Sequence, residues 1–183
     1  MDVRQLGLDG VLEIVPKRHG DARGYFIETW NAERFFEAGI DLRFVQDNHS
    51  YSAAAGVVRG LHYQLPPRAQ DKLLRVIRGK ILDVAVDIRR SSKTFGKWVA
   101  LEISAEKGNQ ILVPKGFAHG FVTLVPDTEV LYKVTDTYSP AHDRSIRFDD
   151  PDIGIDWPSP AGGFELSAKD LKAPTLATAE VFA

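Results

Sequence analysis

The 183-residue sequence has no cysteine. That excludes disulfides, thiolate metal sites and a cysteine nucleophile. No stretch approaches the roughly 18 consecutive apolar residues that a membrane-crossing helix requires. The opening MDVRQLGLDG has no apolar core of the secretory kind, so a cytoplasmic location is the expectation. Charge of either sign is also scarce in excess, with a net charge of −2 at pH 7. Nothing in that balance draws the chain to nucleic acid or to an anionic membrane, and an anionic small ligand would have to be held by local Arg and Lys. Helical patterning is sparse. NAERFFEAG (31–39), with Asn31 as cap and Gly39 as terminator, predicts one short helix, and SAKDL (167–171) predicts a single turn behind Ser167. Repeats, linkers and low-complexity tracts are missing. With 44% hydrophobic and 26% charged residues, one domain spanning 1–183 is expected.

What the chain has in abundance is short runs of β-branched and aromatic residues. They fall at 11–15, 25–30, 43–50, 57–64, 72–79, 80–88, 98–104, 109–114, 119–125 and 128–138. Turn signals separate them, among them HGDARG at 19–24, Pro66–Pro67 and EKGN at 106–109. About ten evenly spaced strands predict an all-β fold, an antiparallel sandwich or barrel of the jelly-roll kind with a few short helices. Such a barrel can enclose a ligand cavity.

One of these runs, VRGLHYQ (58–64), places Arg59, His62 and Gln64 where a strand should be buried. Buried polar groups of this kind must be paired or must face a wet cavity. A second stretch, GNQILVPKGFAHGF, carries Gly108, Pro114, Gly116 and His119 at spacings that resemble the second motif of the cupin superfamily. The first cupin motif is only partly matched. Gly56 and His62 fit, but Gln64 stands where a second histidine belongs, and Lys72 takes the place of the acid before Gly79. Glutamine is a poor transition-metal ligand and an ammonium repels a cation, so no metal is expected. A fixed positive charge beside a histidine base suits the stabilisation of an enolate.

RGYFIETW (23–30), FVQDNHSYS (44–52), RGLHYQ (59–64), DKLLRVIRGKILDVAVDIR (71–89), VPKGFAHGF (113–121), VLYKVTDTYSP (130–140) and LSAKD (166–170) together resemble the dTDP-4-dehydrorhamnose 3,5-epimerase family, over about residues 11–175. The resemblance implies a cofactor-independent homodimer within the cupin superfamily. Its substrate would be a dTDP-linked 4-keto-6-deoxyhexose, dTDP-4-dehydro-6-deoxy-D-glucose, and its product dTDP-4-dehydro-L-rhamnose. It implies His62 as base with Asp170 as its carboxylate partner, Lys72 at the enolate oxygen and Tyr132 as proton donor on the opposite face. It further implies ligand contacts from Arg23, Phe26, Glu28, Gln46, Asn48, Arg59, His119, Asp143 and Lys169, with the Arg23–Glu28 segment reaching the neighbouring subunit's site. Asp143 stands where the family more often has Glu, which shortens that contact.

Taken singly, each residue has a plainer reading. His62 could be a satisfied core histidine, Tyr132 a wall aromatic, Lys72 a solvated edge residue and Asp170 a charge at a helix start. Their coincidence in family order argues otherwise. Three alternatives stay open on sequence alone: an epimerase that inverts one centre, a metal-dependent cupin, and a non-catalytic carbohydrate-binding barrel. Two structural expectations follow. Arg59 and His62 lie on opposite faces of a regular strand, so the chain must bulge at Gly60 for both to point inward. Asp83, an acid within an apolar run, needs a buried partner, and His119 is the candidate.

Overall fold

The computed structural model describes residues 1–158 and 160–183. Its strands are β1 (Asp2–Gln5), β2 (Leu12–Val15), β3 (Arg18–Asp21), β4 (Gly24–Ile27), β5 (Gln46–Ser52), β6 (Val58–Gln64), β7 (Lys72–Arg78), β8 (Lys80–Asp87), β9 (Trp98–Ser104), β10 (Gln110–Val113), β11 (Phe117–Thr123), β12 (Thr128–Val134) and β13 (Asp143–Ser145). Helix α1 (Ala32–Glu37) follows β4, and a 3-10 turn covers Asp170–Lys172. One sheet runs β1-β2-β10-β7-β12-β5 and the other β13-β6-β11-β8-β9, with β3 and β4 forming a separate hairpin. All neighbouring strands within these sheets are antiparallel. The all-β jelly-roll architecture expected from the strand spacing is what the chain adopts.

The helix forms where its caps are. Asn31 accepts hydrogen bonds from the Glu33 and Arg34 backbone N–H groups, and Gly39, with φ of 82°, ends it. Phe35 is its buried residue. It joins Ile14, Ile40, Leu73 and Leu112 in a cluster on the outer face of the first sheet.

Strand alternation divides the interior into two halves. Towards β8, β9 and β10 the inward residues are apolar: Leu74, Val76, Ile81, Leu101, Ile103 and Ile111 fill the space between the sheets. Towards β5, β6 and the start of β7 the same alternation brings in polar side chains, and that half is hollow. The back of the second sheet is covered by the C-terminal segment. Leu176 and Ala179 are buried there against Leu61, Tyr63 and Val86, with Phe182 packed beside them. The Arg90 backbone N–H donates to the Phe182 carbonyl, and the Tyr63 hydroxyl donates to the Glu180 carbonyl.

Gly60 carries the expected irregularity. His119 pairs with His62, and Phe121 pairs with Arg59, so β6 holds one residue more than β11 over the same span. Gly60 has φ of 130°. A Cβ there would lie 2.5 Å from Gly120 Cα and 2.8 Å from the His119 carbonyl oxygen. The missing side chain lets the two strands approach closely enough to set Arg59 and His62 on the same cavity.

Candidate active site

The hollow half holds a cavity of about 290 Å³ bounded by Arg59, His62, Lys72, His119, Tyr132 and Asp170. An adjoining lobe of about 240 Å³ shares His62, Lys72 and Tyr132 and adds Gln46, Asn48, Tyr138, Asp143 and Lys169. The two sheets meet across this space. His62 comes from β6 of one sheet, and Lys72 and Tyr132 come from β7 and β12 of the other.

His62 Nε2 lies 2.5 Å from Asp170 Oδ1. The histidine is partly exposed to the cavity and the aspartate is 4% exposed. Ser167 completes the arrangement: its hydroxyl donates to Asp170 Oδ2 at 2.9 Å and accepts from the Asp170 backbone N–H. Burial by itself would raise the Asp170 carboxyl, but the His62 hydrogen bond and charge, with Ser167 and Lys169, outweigh it and hold the carboxyl below the usual range. With the Nε2 edge committed to the carboxylate, Nδ1 is the ring nitrogen left free to take up a proton.

Lys72 is 9% exposed, and its ammonium donates to the His62 carbonyl at 3.1 Å. Desolvation lowers its pKa to about 8, against the opposing pull of Asp143 and Asp83. Burial raises the Tyr132 phenol above 10.0, partly offset by Arg59. Tyr132 lies opposite Asn48 on one side and Leu74 on the other. His119 Nε2 sits 3.0 and 2.9 Å from the two Asp83 carboxylate oxygens, the pairing expected of a buried acid. Asp83 has no exposed surface, and that burial raises its pKa despite the His119 and Lys72 contacts.

The Arg59 guanidinium is anchored on the Tyr51 carbonyl at 2.9 Å and leans on Ser52 Oγ. Gln46 donates to Asn48 Oδ1 at 2.8 Å and accepts from the Tyr138 backbone N–H. Lys169 and the Tyr138 hydroxyl both donate to Asp143 Oδ2. Gln64, the residue standing in a metal-ligand position, spends its amide on backbone. It donates to the Arg68 and Thr137 carbonyls and accepts from the Ser139 N–H. Among the described residues no three His, Cys, Asp or Glu side chains gather as a metal-holding group.

The three remaining residues do not reach this cavity. Arg23 is held by Asp21 and its side chain is 90% exposed. Phe26 is also exposed, and Glu28 pairs with Arg34 and accepts from Asn31. Two cavity residues lie within the family-like stretches without a role implied for them there: Tyr138, an exposed aromatic in the second lobe, and Ser50, on the wall of the first.

Residues 5–178 match the family model described as dTDP-4-dehydrorhamnose 3,5-epimerase. The chain belongs to this family. A dTDP-4-dehydrorhamnose 3,5-epimerase of Sinorhizobium fredii is 51% identical over 176 residues, covering 96% of this chain and 90% of the relative. The crystal structure of a dTDP-6-deoxy-D-glucose-3,5-epimerase from Legionella pneumophila, in complex with dTDP-4-keto-L-rhamnose, superposes with a TM-score of 0.92 at 46% identity. That match covers 97% of this chain and 93% of the other. A Streptomyces niveus protein described as a dTDP-4-dehydrorhamnose 3-epimerase is more distant, 37% identical over 98% of this chain and 86% of the relative.

Proposed function

We propose that this chain is an isomerase that converts dTDP-4-dehydro-6-deoxy-D-glucose to dTDP-4-dehydro-L-rhamnose by inverting C3 and C5. The observation that carries this reading is the placement of His62 and Tyr132 on opposed sheets around one cavity, with the Lys72 ammonium lining the same space. The C4 ketone acidifies the hydrogens on both neighbouring carbons. His62 takes a proton from carbon through Nδ1, and the C–H electron pair moves onto the C4 oxygen as an enolate. Asp170 stabilises the imidazolium that forms. Lys72 faces the enolate oxygen, where a fixed cation in a water-poor cavity is most effective. Tyr132 delivers a proton to the other face of the same carbon, and the enolate collapses to the ketone with inverted configuration. The raised phenol pKa keeps Tyr132 protonated and ready to donate at neutral pH. The same sequence at the second carbon gives the product, with proton exchange against solvent resetting the phenol and the imidazole.

Arg59 and His119 serve the sugar and diphosphate, while Gln46, Asn48, Asp143 and Lys169 serve the nucleotide end. Tyr138, exposed at that lobe, offers a flat surface to the base. Arg23, Phe26 and Glu28 act in a second copy of the chain: the β3–β4 hairpin displays Tyr25 and Phe26 to solvent, which suits an element docked on a neighbour in a homodimer. Among the described residues no helix is long and apolar enough to cross a membrane, and a cytoplasmic setting fits a nucleotide-sugar substrate.

A single-centre epimerase is the rival, and the Streptomyces niveus relative shows that such proteins occur among similar sequences. Incubation of the substrate in deuterated water, with the label counted by NMR, separates the two. Deuterium at both C3 and C5 is expected; label at C3 alone would establish the rival.

A further inference from the structure

Gln64 ends β6, the strand that carries His62, and is only 4% exposed. A buried amide must place its donors and its acceptor on partners, and where Gln64 places them is informative. Its Oε1 accepts from the Ser139 backbone N–H at 2.7 Å, and its Nε2 donates to the Thr137 carbonyl at 3.3 Å and to the Arg68 carbonyl at 2.6 Å. Two of these bonds fall on the two peptide units that flank Tyr138. Tyr138 lies in the irregular chain between β12 and β13, so no sheet ladder holds it. Its own backbone N–H donates to Gln46 Oε1 at 3.0 Å, and its hydroxyl donates to Asp143 Oδ2 at 3.1 Å. The other loop that Gln64 grips leads to the same place. The Arg68 guanidinium donates to Thr137 Oγ1 and pairs with Asp136, and Gln70 donates to the Asp136 carbonyl. These ties converge on residues 136–139. Yet Tyr138 itself is 58% exposed, at the border of the second lobe of the cavity. A ring that buries so little adds little to the core, so the fastening serves something else.

We infer that Gln64 is a positioning residue for nucleotide binding, which fixes the Tyr138 ring in advance as a stacking platform for the thymine base. The inference rests on the epimerase reading for the identity of the ligand. A side chain or loop that must be ordered on binding costs affinity, and one already held in place does not. The amide suits this task where its nearest replacements do not. A glutamate carboxylate could accept from Ser139 but could not donate to the Thr137 and Arg68 carbonyls, and a methionine of similar shape could do neither. Gln64 follows His62 by two residues, so the two side chains share one face of β6 and border the same lobe. One strand thus carries the base that acts on the sugar and the brace that serves the opposite end of the substrate. The position that a metal-binding cupin gives to a histidine is turned here to holding a loop.

The test is a double-mutant cycle on calorimetric dTDP affinity, with the wild-type protein, Gln64→Met, Tyr138→Ala and the double variant. Tyr138→Ala should weaken dTDP about 5- to 150-fold, the worth of one aromatic–base stack. Gln64→Met should weaken it about 3- to 12-fold while Tyr138 is present. Once Tyr138 is replaced by alanine, the same change should alter affinity by no more than about twofold. In turnover, Gln64→Met should raise KM by the factor seen in binding and leave kcat within about twofold, which is the mark of lost ground-state binding. Gln64→Glu keeps the acceptor for Ser139, and should the methionine variant not fold it runs through the same cycle with the same non-additive pattern expected. A merely structural glutamine would weaken dTDP equally with and without Tyr138, and that result overturns the assignment. Unchanged dTDP affinity in Gln64→Met overturns it as well, and so does a Tyr138→Ala protein that binds dTDP as tightly as wild type. Failure of the wild-type chain to exchange deuterium into its substrate would strike at the epimerase reading alone.

Discussion

Lys72 is a buried cation whose protonation state can be read directly in kinetics. In water a lysine amine loses its proton near 10.5, and desolvation brings Lys72 down to about 8. If the ammonium stabilises the enolate, kcat/KM follows its charged fraction in the free protein. With a pKa of about 8 that fraction is about nine-tenths at pH 7, about one-tenth at pH 9 and about one-hundredth at pH 10. The expected profile falls about tenfold between pH 7 and pH 9, where an unperturbed lysine would leave it nearly flat. Tyr132 does not interfere, because its pKa lies above 10.0. The assay is the rate of deuterium incorporation at limiting substrate from pH 6 to 10, for wild type and for Lys72→Arg. A guanidinium stays charged throughout, so the variant should show a lower plateau but no decline. A wild-type profile flat to pH 9.5, or the same decline in Lys72→Arg, would refute the argument. The displaced pKa has a stability side as well. Between about pH 8 and 10.5 the unfolded chain holds this proton more tightly than the folded one. The contribution of Lys72 to stability therefore improves as pH rises through that window and is at its worst below it. The fall corresponds to about 3 kcal/mol at neutral pH, offset by about 1 kcal/mol for the bond to the His62 carbonyl. Lys72→Met should thus raise the melting temperature by roughly 2–8 °C while abolishing turnover.

His62→Ala and Tyr132→Phe should each reduce turnover about 10²- to 10⁴-fold and leave calorimetric affinity for dTDP within about threefold; a variant retaining half the wild-type rate removes that residue from the chemistry. Gly60→Ala would put a Cβ 2.5 Å from Gly120 Cα at a φ of +130°. The expected loss is about 2–5 kcal/mol in urea unfolding, and an unchanged midpoint would show that β6 and β11 separate freely. Neither Arg23→Ala nor His62→Ala alone should turn over well, but mixed dimers should recover activity, because the site on the Arg23→Ala chain then combines its own His62 with an intact hairpin from its neighbour. No recovery on mixing would mean that Arg23 serves its own chain or none.

Core strands were legible because alternation of apolar and polar residues is imposed by burial of one face. Strands β1, β3 and β13 were not anticipated. Their sequences DVRQ, RHGD and DRS have almost no apolar content, and none of their residues is fully buried. The run at 25–30 stops short as a strand at Ile27, because Ile27 pairs with Arg18, the first residue of β3, and among the described residues the hairpin has no partner strand beyond it. The run at 128–138 leaves the sheet after Val134, where the Thr135 N–H bonds the Asp71 carbonyl instead. In the site, the Asp83–His119 pair could be inferred from the cost of an unpaired buried acid. The His62–Asp170 pair could not, since 108 residues separate its members and only family resemblance joined them. Tyr138 lies within a family-like stretch, yet its place at the cavity was not legible, because an aromatic at the end of a strand run looks ordinary until a cavity is seen beside it.

The bond between the Tyr63 hydroxyl and the Glu180 carbonyl ties the catalytic strand to a distant part of the chain. Tyr63 is the immediate neighbour of His62 but packs on the far side of the sheet with Leu176, Ala179 and Phe182, so the strand carrying the histidine is braced from behind. A change that loosens the segment around Leu176 and Phe182 would therefore disturb catalysis from the rear without ever approaching the sugar.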